Sequence, residues 1–309
     1  MVSNGLIRLP EGVHFFQRGW LSSNNALLID KEQAILIDTG YHTHAPQTLD
    51  LVNHQLNGRP LTSIINTHLH SDHCGGNAHM QDAFPNAVTW IPPGHANYVR
   101  NWDPLLLGYI GTGQHCPAFK AHKVLTVGQE FLVGGIAWHC LAAPGHDPHS
   151  FILFSPDTGI CITADALWEN GFGVIFPEIE GEEGFDDVGS SLDLIESLSP
   201  SIIFPGHGAS FTDVSGALER ARARLSRFID KPDSHALYAA KVLVKFKLLE
   251  LQSIEKQMFR TWAFTATHLE KIHRAHFINQ SFVDWFDFVC NDLVRSGAAT
   301  FEGNHLLNA

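Results

Sequence analysis

The stretch His68-Leu69-His70-Ser71-Asp72-His73 decides the fold class of this chain. It places four potential metal ligands within six residues, directly after the apolar residues 61–67. Residues 61–67 have the composition of a β-strand, and alternation along an extended segment puts His68 and His70 on one side. Burying four such groups is costly unless a cation neutralises and coordinates them. The stretch therefore predicts a metal site at the end of a strand.

Three shorter motifs further along the chain each follow a β-like run and contain a metal-type ligand. A lone His or Asp in such a position is usually structural, so each motif alone is a weak signal. Their shared order after the His-rich stretch is a strong signal. The motifs are Ala143-Pro144-Gly145-His146, Thr163-Ala164-Asp165-Ala166 and Phe204-Pro205-Gly206-His207-Gly208.

The composition is that of a globular chain, because 44% of the 309 residues are hydrophobic and 17% are charged. This length fits one large domain or two modest ones, and it buries a core without metal or disulfide cross-links. A bound metal is therefore expected to be functional. The five Cys are odd in number and form no CxxC pair, which excludes a disulfide scaffold and a zinc ribbon and indicates a reducing compartment.

The negative charge is concentrated in the first two thirds of the chain. Residues 1–209 hold 7 Lys and Arg against 21 Asp and Glu, a net charge of −14, whereas the remainder carries +2. Fifteen of the 20 His lie in the same acidic part, which favours a catalytic site of nitrogen and oxygen ligands. An acidic surface repels a polyanion, so the charge opposes nucleic acid as a partner.

The chain shows no sign of export or membrane insertion. Residues 1–16 lack a charged segment followed by an apolar one, and no run of 18 apolar residues occurs. We therefore expect a cytoplasmic protein without a membrane partner. A homodimer is left open.

The pattern of elements changes after residue 212. Residues 1–212 alternate strand-like and helix-like segments, which is typical of layered α/β packing. Residues 213–309 form five helix-like segments, and residues 297–306 have the pattern of a small hairpin. We predict a catalytic domain over residues 1–212 and a helical accessory domain over residues 213–309. The five predicted helices cover residues 217–229, 234–251, 254–261, 267–275 and 282–294.

The order of these motifs resembles the metallo-β-lactamase superfamily of binuclear metallohydrolases. The likeness covers most of residues 15–210, and it implies a four-layer αββα fold of the α/β class. The helical C-terminal part weakly resembles the winged-helix appendage of an endoribonuclease-like branch. That match lies in the pattern of elements and not in a signature motif.

The resemblance also implies a role for each ligand. His68, His70 and His146 would hold a first metal, and Asp72, His73 and His207 a second, with Asp165 bridging both. A water or hydroxide between the metals would attack the substrate. Two Zn²⁺ ions suit this donor set, and iron or manganese also accept it. Asp72 and Asp165 are the predicted catalytic residues.

Five further residues are candidates for supporting the metals or contacting substrate. Asp38 would orient a ligand or, equally, end a strand, while Tyr41 would contact substrate or face solvent. His149 would transfer a proton or serve a structural role. Trp168 and Phe172, with the neighbouring Phe176, would wall an apolar pocket or pack against the C-terminal helices.

The motifs do not identify the substrate, but they restrict the class of reaction. Members that hydrolyse β-lactams usually carry Cys or Ser where this chain has Asp165, so we expect a zinc-dependent hydrolase that is not a true β-lactamase. Asp165 resembles the lactonase, thioesterase and nuclease branches. We expect attack on the acyl carbon of a small thioester, ester or lactone. The alternative is a metal-dependent nuclease that acts on single-stranded RNA or DNA, which the acidic charge opposes.

Overall fold

The computed structural model describes residues 8–309. The expectation that no leader segment opens the chain falls partly on residues 1–7, which lie outside the described residues. Among the described helices, none combines the length and the apolar character that crossing a bilayer requires.

Two β-sheets form the centre of the protein. In the first sheet, strands β1 to β6 lie in chain order, with antiparallel pairing at its start and parallel pairing from β3 onward. The second sheet has the order β11-β10-β9-β8-β7. The strands of the first sheet are β1 (Val13–Phe16), β2 (Asn25–Ile29), β3 (Ala34–Ile37), β4 (Ser63–Ile65), β5 (Val88–Ile91) and β6 (Lys123–Val124). Those of the second are β7 (Glu130–Val133), β8 (Ile136–Ala142), β9 (Phe151–Ser155), β10 (Ile160–Ala164) and β11 (Ile202–Pro205).

The strands are apolar on both faces because both faces are covered. In β2, Ala26 and Leu28 point into the core between the two sheets, whereas Leu27 points to the outer face of the first sheet. In β9, Leu153 joins the same central core, and Ile152 points outward to a third core. This division follows from side-chain alternation along each strand.

Helices cover the outer face of each sheet and complete the predicted four-layer αββα arrangement. Val52 and Met80 cover the first sheet, and Leu192 and Leu225 cover the second. The helices of this part are α1 (Ala45–Leu56), α2 (Ser71–Cys74), α3 (Asn77–Ala83), α4 (Ala96–Asn101), α5 (Tyr109–Thr112), α6 (Phe176–Glu180), α7 (Phe185–Leu198) and α8 (Val214–Asp230).

The chain breaks between α2 and α3, at Gly75 and Gly76, instead of continuing as one helix. The backbone N–H of Gly76 donates to the carbonyl of Gly40 at 2.9 Å, and the N–H of Thr39 donates to the carbonyl of His73 at 2.7 Å. These hydrogen bonds tie the break to the end of β3. The otherwise irregular segments 101–117 and 169–184 contain the short helices α5 and α6.

The C-terminal part is mostly helical, as predicted, and ends in a hairpin. Its elements are α9 (Pro232–Leu251), β12 (Ser253–Glu255), α10 (Lys256–Ala263), α11 (Thr267–His276), α12 (Phe282–Arg295), β13 (Ala299–Glu302) and β14 (His305–Asn308). The helix predicted from residue 254 begins only at Lys256, because Ile254 pairs with Leu306 in a sheet of order β12-β14-β13.

Helix α8 packs with α7 over the second sheet, and the ring of its Phe228 also contacts that of Tyr238 in α9. Its buried Leu218 and Leu225 belong to the same core as Ile195 of α7. The core of the C-terminal part includes Ala236 of α9 and Trp285, and it is joined by Val174 and Ile179. The domain division between residues 212 and 213 stays a prediction.

Candidate metal centre

The seven ligands predicted from sequence converge at one edge of the two sheets. Each follows the carboxyl end of a strand, because β8 and β10 run in the same direction and β10 pairs in parallel with β11. The His-rich stretch follows β4 of the facing sheet. Ends of parallel strands meet at one edge, so residues far apart in sequence share one site. The seven are His68, His70, Asp72, His73, His146, Asp165 and His207.

Three imidazoles form the first part of the cluster. Nε2 of His68 lies 3.1 Å from Nδ1 of His70, and that Nδ1 lies 2.8 Å from Nε2 of His146. Together they offer three nitrogen atoms within 4.8 Å of one another. This is a donor set for a metal ion.

Asp72, His73 and His207 form the second part. Nε2 of His207 lies 3.1 Å from Oδ2 of Asp72, and Nε2 of His73 lies 4.0 Å from the same oxygen. These ligand atoms also lie within 4.8 Å of one another. His73 and Asp72 reach this position from the first turn after β4, which α2 forms.

Asp165 lies between the two parts. Its Oδ2 is 3.4 Å from Nε2 of His146, while its Oδ1 is 3.4 Å from Nε2 of His73 and 3.8 Å from Nε2 of His207. Asp165 also forms a ligand group with His68 and His73. The two oxygens of one carboxylate therefore face opposite halves of the cluster.

Neighbouring groups fix which ring nitrogen faces the centre. Nδ1 of His73 lies 2.7 Å from Oδ2 of Asp38, which leaves Nε2 for the cluster. Nδ1 of His146 donates to the carbonyl of Val174 at 2.5 Å, which leaves its Nε2 free. Such contacts orient metal-binding imidazoles and fix their tautomers.

The backbone packs too closely at two glycines for any side chain. A Cβ at Gly206 would lie 2.1 Å from Oδ1 of Asp165, and a Cβ at Gly173 would lie 2.3 Å from Nδ1 of His146. Ala164, directly before Asp165, has a left-handed φ of 45°. This strained residue turns the chain so that Asp165 enters the cluster.

The ionisation of the cluster reflects its shared burial. Burial lowers the pKa of His73, but the carboxylates of Asp165 and Asp38 outweigh it and raise that pKa well above its usual value. Burial raises the pKa of Asp165, but the nearby His207 and His73 outweigh this effect and hold the pKa well below its usual value. Burial and His146 lower the pKa of His70 to about 3. Asp165 is thus ionised and attracts positive charge, while His70 is a neutral nitrogen donor.

The cluster fits a metal ion by its chemistry and by its unpaired atoms. Nε2 of His73 is buried, faces two carboxylates and has no hydrogen-bond partner. A buried polar atom without a partner is costly, and coordination would satisfy it. Five imidazoles and two carboxylates are ordinary ligands of divalent transition metals. These side chains therefore form a metal-binding cluster.

A cavity of about 520 Å³ opens over the cluster. Four of the ligands form its floor, namely His70, Asp72, His146 and Asp165. His207 lies at one side, with its ring stacked on Trp20 at 5.3 Å between centroids. A volume of this size suits a small molecule.

Two of the five predicted supporting residues lie at the cluster. Asp38 contacts His73, as described above. Trp168 lines the cavity, and its Nε1 donates to Oδ1 of Asp165 at 3.2 Å. A role for either residue in the reaction stays a prediction.

The other three supporting candidates are not among the residues that line the cavity. Tyr41 is fully buried, and its hydroxyl donates to Oε1 of Glu250 at 3.0 Å. The ring of His149 packs edge-on against that of His95. Phe172 is buried in the core that α7 and α8 share. Of its two predicted roles, this position fits packing in a core and not the wall of a pocket.

Two further aromatic residues lie at the site: Phe176, which the sequence placed with Trp168 and Phe172, and Trp20, to which it gave no role. Phe176 packs against the rings of His70 and His146, at 4.7 and 5.7 Å between centroids. Trp20 covers His207. Phe176 stands among the aromatic residues after Asp165, which is a usable signal. Trp20 has none, because it precedes β2 and reaches the site only through the fold.

Known proteins with similar sequences include hydrolases. A hydroxyacylglutathione hydrolase of Idiomarina loihiensis is 28% identical over 148 residues, which are 48% of this chain and 47% of that protein. An atrochrysone carboxyl ACP thioesterase of Aspergillus fumigatus is 24% identical over 226 residues, 72% of this chain and 46% of that protein. The chain thus spans about half the length of both relatives.

The same architecture occurs in solved structures. A metallo-beta-lactamase family protein of Thermus thermophilus matches 98% of this chain and 100% of its own, with a TM-score of 0.59 and 17% identity. At that identity the likeness shows the fold alone. It confirms the predicted fold class. The sequence model of the metallo-beta-lactamase superfamily matches residues 18–207, so this chain belongs to that superfamily of metallo-hydrolases.

Proposed function

We propose that this protein is a hydrolase that attacks the acyl carbon of a thioester, ester or lactone. The observation that carries the proposal is the position of the metal-binding cluster at the floor of a largely apolar cavity. An acyl chain can lie against the walls while its carbonyl group reaches the cluster. The names of both hydrolase relatives denote acyl compounds, which supports this class of substrate.

We assign the seven ligands to two divalent cations, and zinc is the cation that this donor set favours. His68, His70 and His146 would hold one, Asp72, His73 and His207 the other, and Asp165 would contribute one oxygen to each. When bound, these cations would supply a water molecule of lowered pKa and polarise the carbonyl of the substrate.

Side chains of this protein orient the ligands and move the proton. Asp38 holds a proton on Nδ1 of His73 and so keeps its Nε2 available. Trp168 fixes one oxygen of Asp165 through its indole N–H. Asp72 lines the cavity and is more exposed than Asp165, so we assign to its carboxylate the transfer of a proton from the attacking water.

The charge of the cavity wall favours an acyl substrate over a nucleic acid. Among the described residues that line it, Lys271 is the only Lys or Arg, and it pairs with Glu180. A nuclease needs several cationic side chains along the phosphate backbone. The alternative of a nuclease acting on single-stranded RNA or DNA therefore has less support.

A panel of substrates tests the proposal. The zinc-loaded protein would be assayed on aliphatic thioesters, γ-lactones, simple esters and a labelled single-stranded RNA. We expect turnover of an acyl substrate, and loss of it in Asp165→Ala and His73→Ala variants that remain folded. Cleavage of RNA alone would refute the proposal, and full activity in Asp165→Ala would place the reaction elsewhere.

A further inference from the structure

One helix of the C-terminal part forms a wall of the cavity. Tyr238, Val242, Leu243 and Phe246 of α9 all line it. Their spacing places them on one face of the helix, which borders the cavity. Helix α9 thus contributes side chains to the same space as His70 and Asp72, although it lies beyond the segment that carries the ligands.

Leucines from the segment before α5 form another apolar part of the wall. Leu105, Leu106 and Leu107 all line the cavity. Leu105 is 58% exposed and Leu106 is 53% exposed, which is costly for two adjacent large apolar side chains. An apolar ligand in the cavity would remove them from water.

The polar groups of the cavity wall disfavour a negatively charged chain. Lys271 and His268 of α11 both pair with Glu180, His268 at 2.7 Å. The carboxylates of Asp147 and Glu182 also line the cavity. Since the one cationic Lys is already paired, a substrate carboxylate or phosphate placed here would meet repulsion and lose its hydration.

We propose that α9 and the leucine segment of residues 105–107 select an uncharged, apolar acyl chain. This inference rests on the proposed function and gives the C-terminal helical part a direct role in specificity. Val242 is the position at which α9 sets the length of the accepted chain, because it is only partly buried and lines the cavity. The carbonyl carbon of the substrate lies at the cluster, and its chain extends toward α9.

The experiment compares p-nitrophenyl esters from acetyl to decanoyl on three proteins. For the wild type, kcat/KM rises by about fourfold for each buried methylene. In Val242→Trp, the decanoyl ester loses at least about tenfold while the acetyl ester stays within about twofold, because the indole fills the space of the chain. Leu251→Trp adds the same group to an exposed position of α9 and keeps the wild-type profile.

A second comparison tests charge with a matched pair of substrates. The p-nitrophenyl esters of hexanoic acid and of adipic acid have chains of equal length, and only the second ends in a carboxylate. We expect at least about a tenfold lower kcat/KM for the adipate. Equal rates, or a chain-length profile that Val242→Trp leaves unchanged, would overturn the inference.

Binding of methyl ketones separates this inference from the proposed function. Their binding is followed by the fluorescence of Trp20 and Trp168, which line the cavity. Binding that tightens with chain length and weakens in Val242→Trp supports the apolar wall even if no ester is hydrolysed. Hydrolysis of short esters without such binding would refute the inference and leave the proposed function standing.

Discussion

Oδ2 of Asp38 lies 2.7 Å from Nδ1 of His73, at the back of the metal-binding cluster. The same carboxylate accepts hydrogen bonds from the backbone N–H and the hydroxyl of Thr67, at 2.9 and 2.8 Å. Asp38 has a left-handed φ of 56°, which is strained for a residue other than glycine. The end of β3 therefore holds both the start of the His-rich stretch and the ring of one ligand.

This relationship predicts that Asp38→Asn weakens metal binding without removing a ligand. An amide accepts fewer hydrogen bonds, and without the negative charge it attracts the ring proton of His73 less strongly. We expect zinc affinity to fall by about 10-fold to 100-fold, measured by competition with a chelating dye. Asp50→Asn, at an exposed position of α1, is the matched control. Unchanged affinity in Asp38→Asn would mean that the contact does not position His73.

The close approach at Gly206 predicts a second sensitive position. In Gly206→Ala the new methyl group would overlap Oδ1 of Asp165 and lie 2.9 Å from the carbonyl carbon of Ala164. We expect loss of zinc binding and a decrease of about 3 kcal/mol in the free energy of unfolding, measured in urea. Gly189→Ala in α7 is the control, because its Cβ would meet only ordinary contacts. Normal zinc content in Gly206→Ala would contradict the expectation.

The ligands could be predicted from the sequence because their positions depend on local rules. His-rich and Gly-His motifs that follow β-like runs lie at the ends of strands, and ends of parallel strands converge. The same reasoning pointed to Asp38 at the end of a strand, whereas Trp168 was a candidate as an aromatic residue in the loop after Asp165. No periodic pattern marks residues 105–107, so their place in the cavity wall could not be inferred.

Tertiary packing explains what the sequence left open. Tyr41 follows β3 and precedes the ligands, which made substrate contact a reasonable hypothesis. Its ring instead packs edge-on against Phe246 of α9, at 5.1 Å between centroids. The partner lies about 200 residues away in sequence, and no local pattern encodes that contact.

The buried contact between Tyr41 and Glu250 predicts a pH-dependent contribution to stability. Burial raises the pKa of Glu250, but hydrogen bonds with His42, Lys247 and Tyr41 outweigh it and lower that pKa to about 2. A carboxyl whose folded pKa is lowered stabilises the fold above its usual pKa of 4.5, and this contribution is lost as the pH falls toward 2. We expect Glu250→Gln to lower the Tm most at neutral pH. The difference in Tm between the wild type and the variant should become smaller below about pH 4.5.

The check is a series of thermal unfolding curves from neutral to acidic pH for both proteins. A constant difference in Tm between wild type and Glu250→Gln would show that the ionised carboxylate is not the stabilising form. Glu219, an exposed residue of α8, provides the control variant Glu219→Gln, for which we expect no difference.

His235 has the opposite pH dependence, because it stabilises the fold only in its neutral form. It is buried in α9, and its Nε2 accepts a hydrogen bond from the N–H of Ile175 at 3.1 Å. Burial, with a smaller contribution from His276, lowers its pKa to about 4. The unfolded chain therefore binds more protons between the folded pKa and the usual 6.5, so stability falls as the pH drops through that range.

We expect the loss from His235 to reach about 2 kcal/mol at about pH 5. His235→Gln retains an acceptor for Ile175 but cannot be protonated, so its free energy of unfolding should depend less on pH. The measurement is urea unfolding of both proteins at neutral pH and at about pH 5. An equal loss in the two proteins would assign the acid sensitivity to other groups.

The arrangement around Asp165 makes a quantitative prediction about metal content. Since its two oxygens face opposite halves of the cluster, we expect the wild type to bind about two zinc ions per chain at saturation. His207→Ala removes a ligand from one half only, so about one ion should remain, and the rise in Tm on adding zinc should be smaller. Asp165→Asn affects both halves and should weaken both ions. Metal analysis after dialysis, together with thermal unfolding, measures each outcome. A single ion in the wild type, or two in His207→Ala, would refute the division of the seven ligands into two halves.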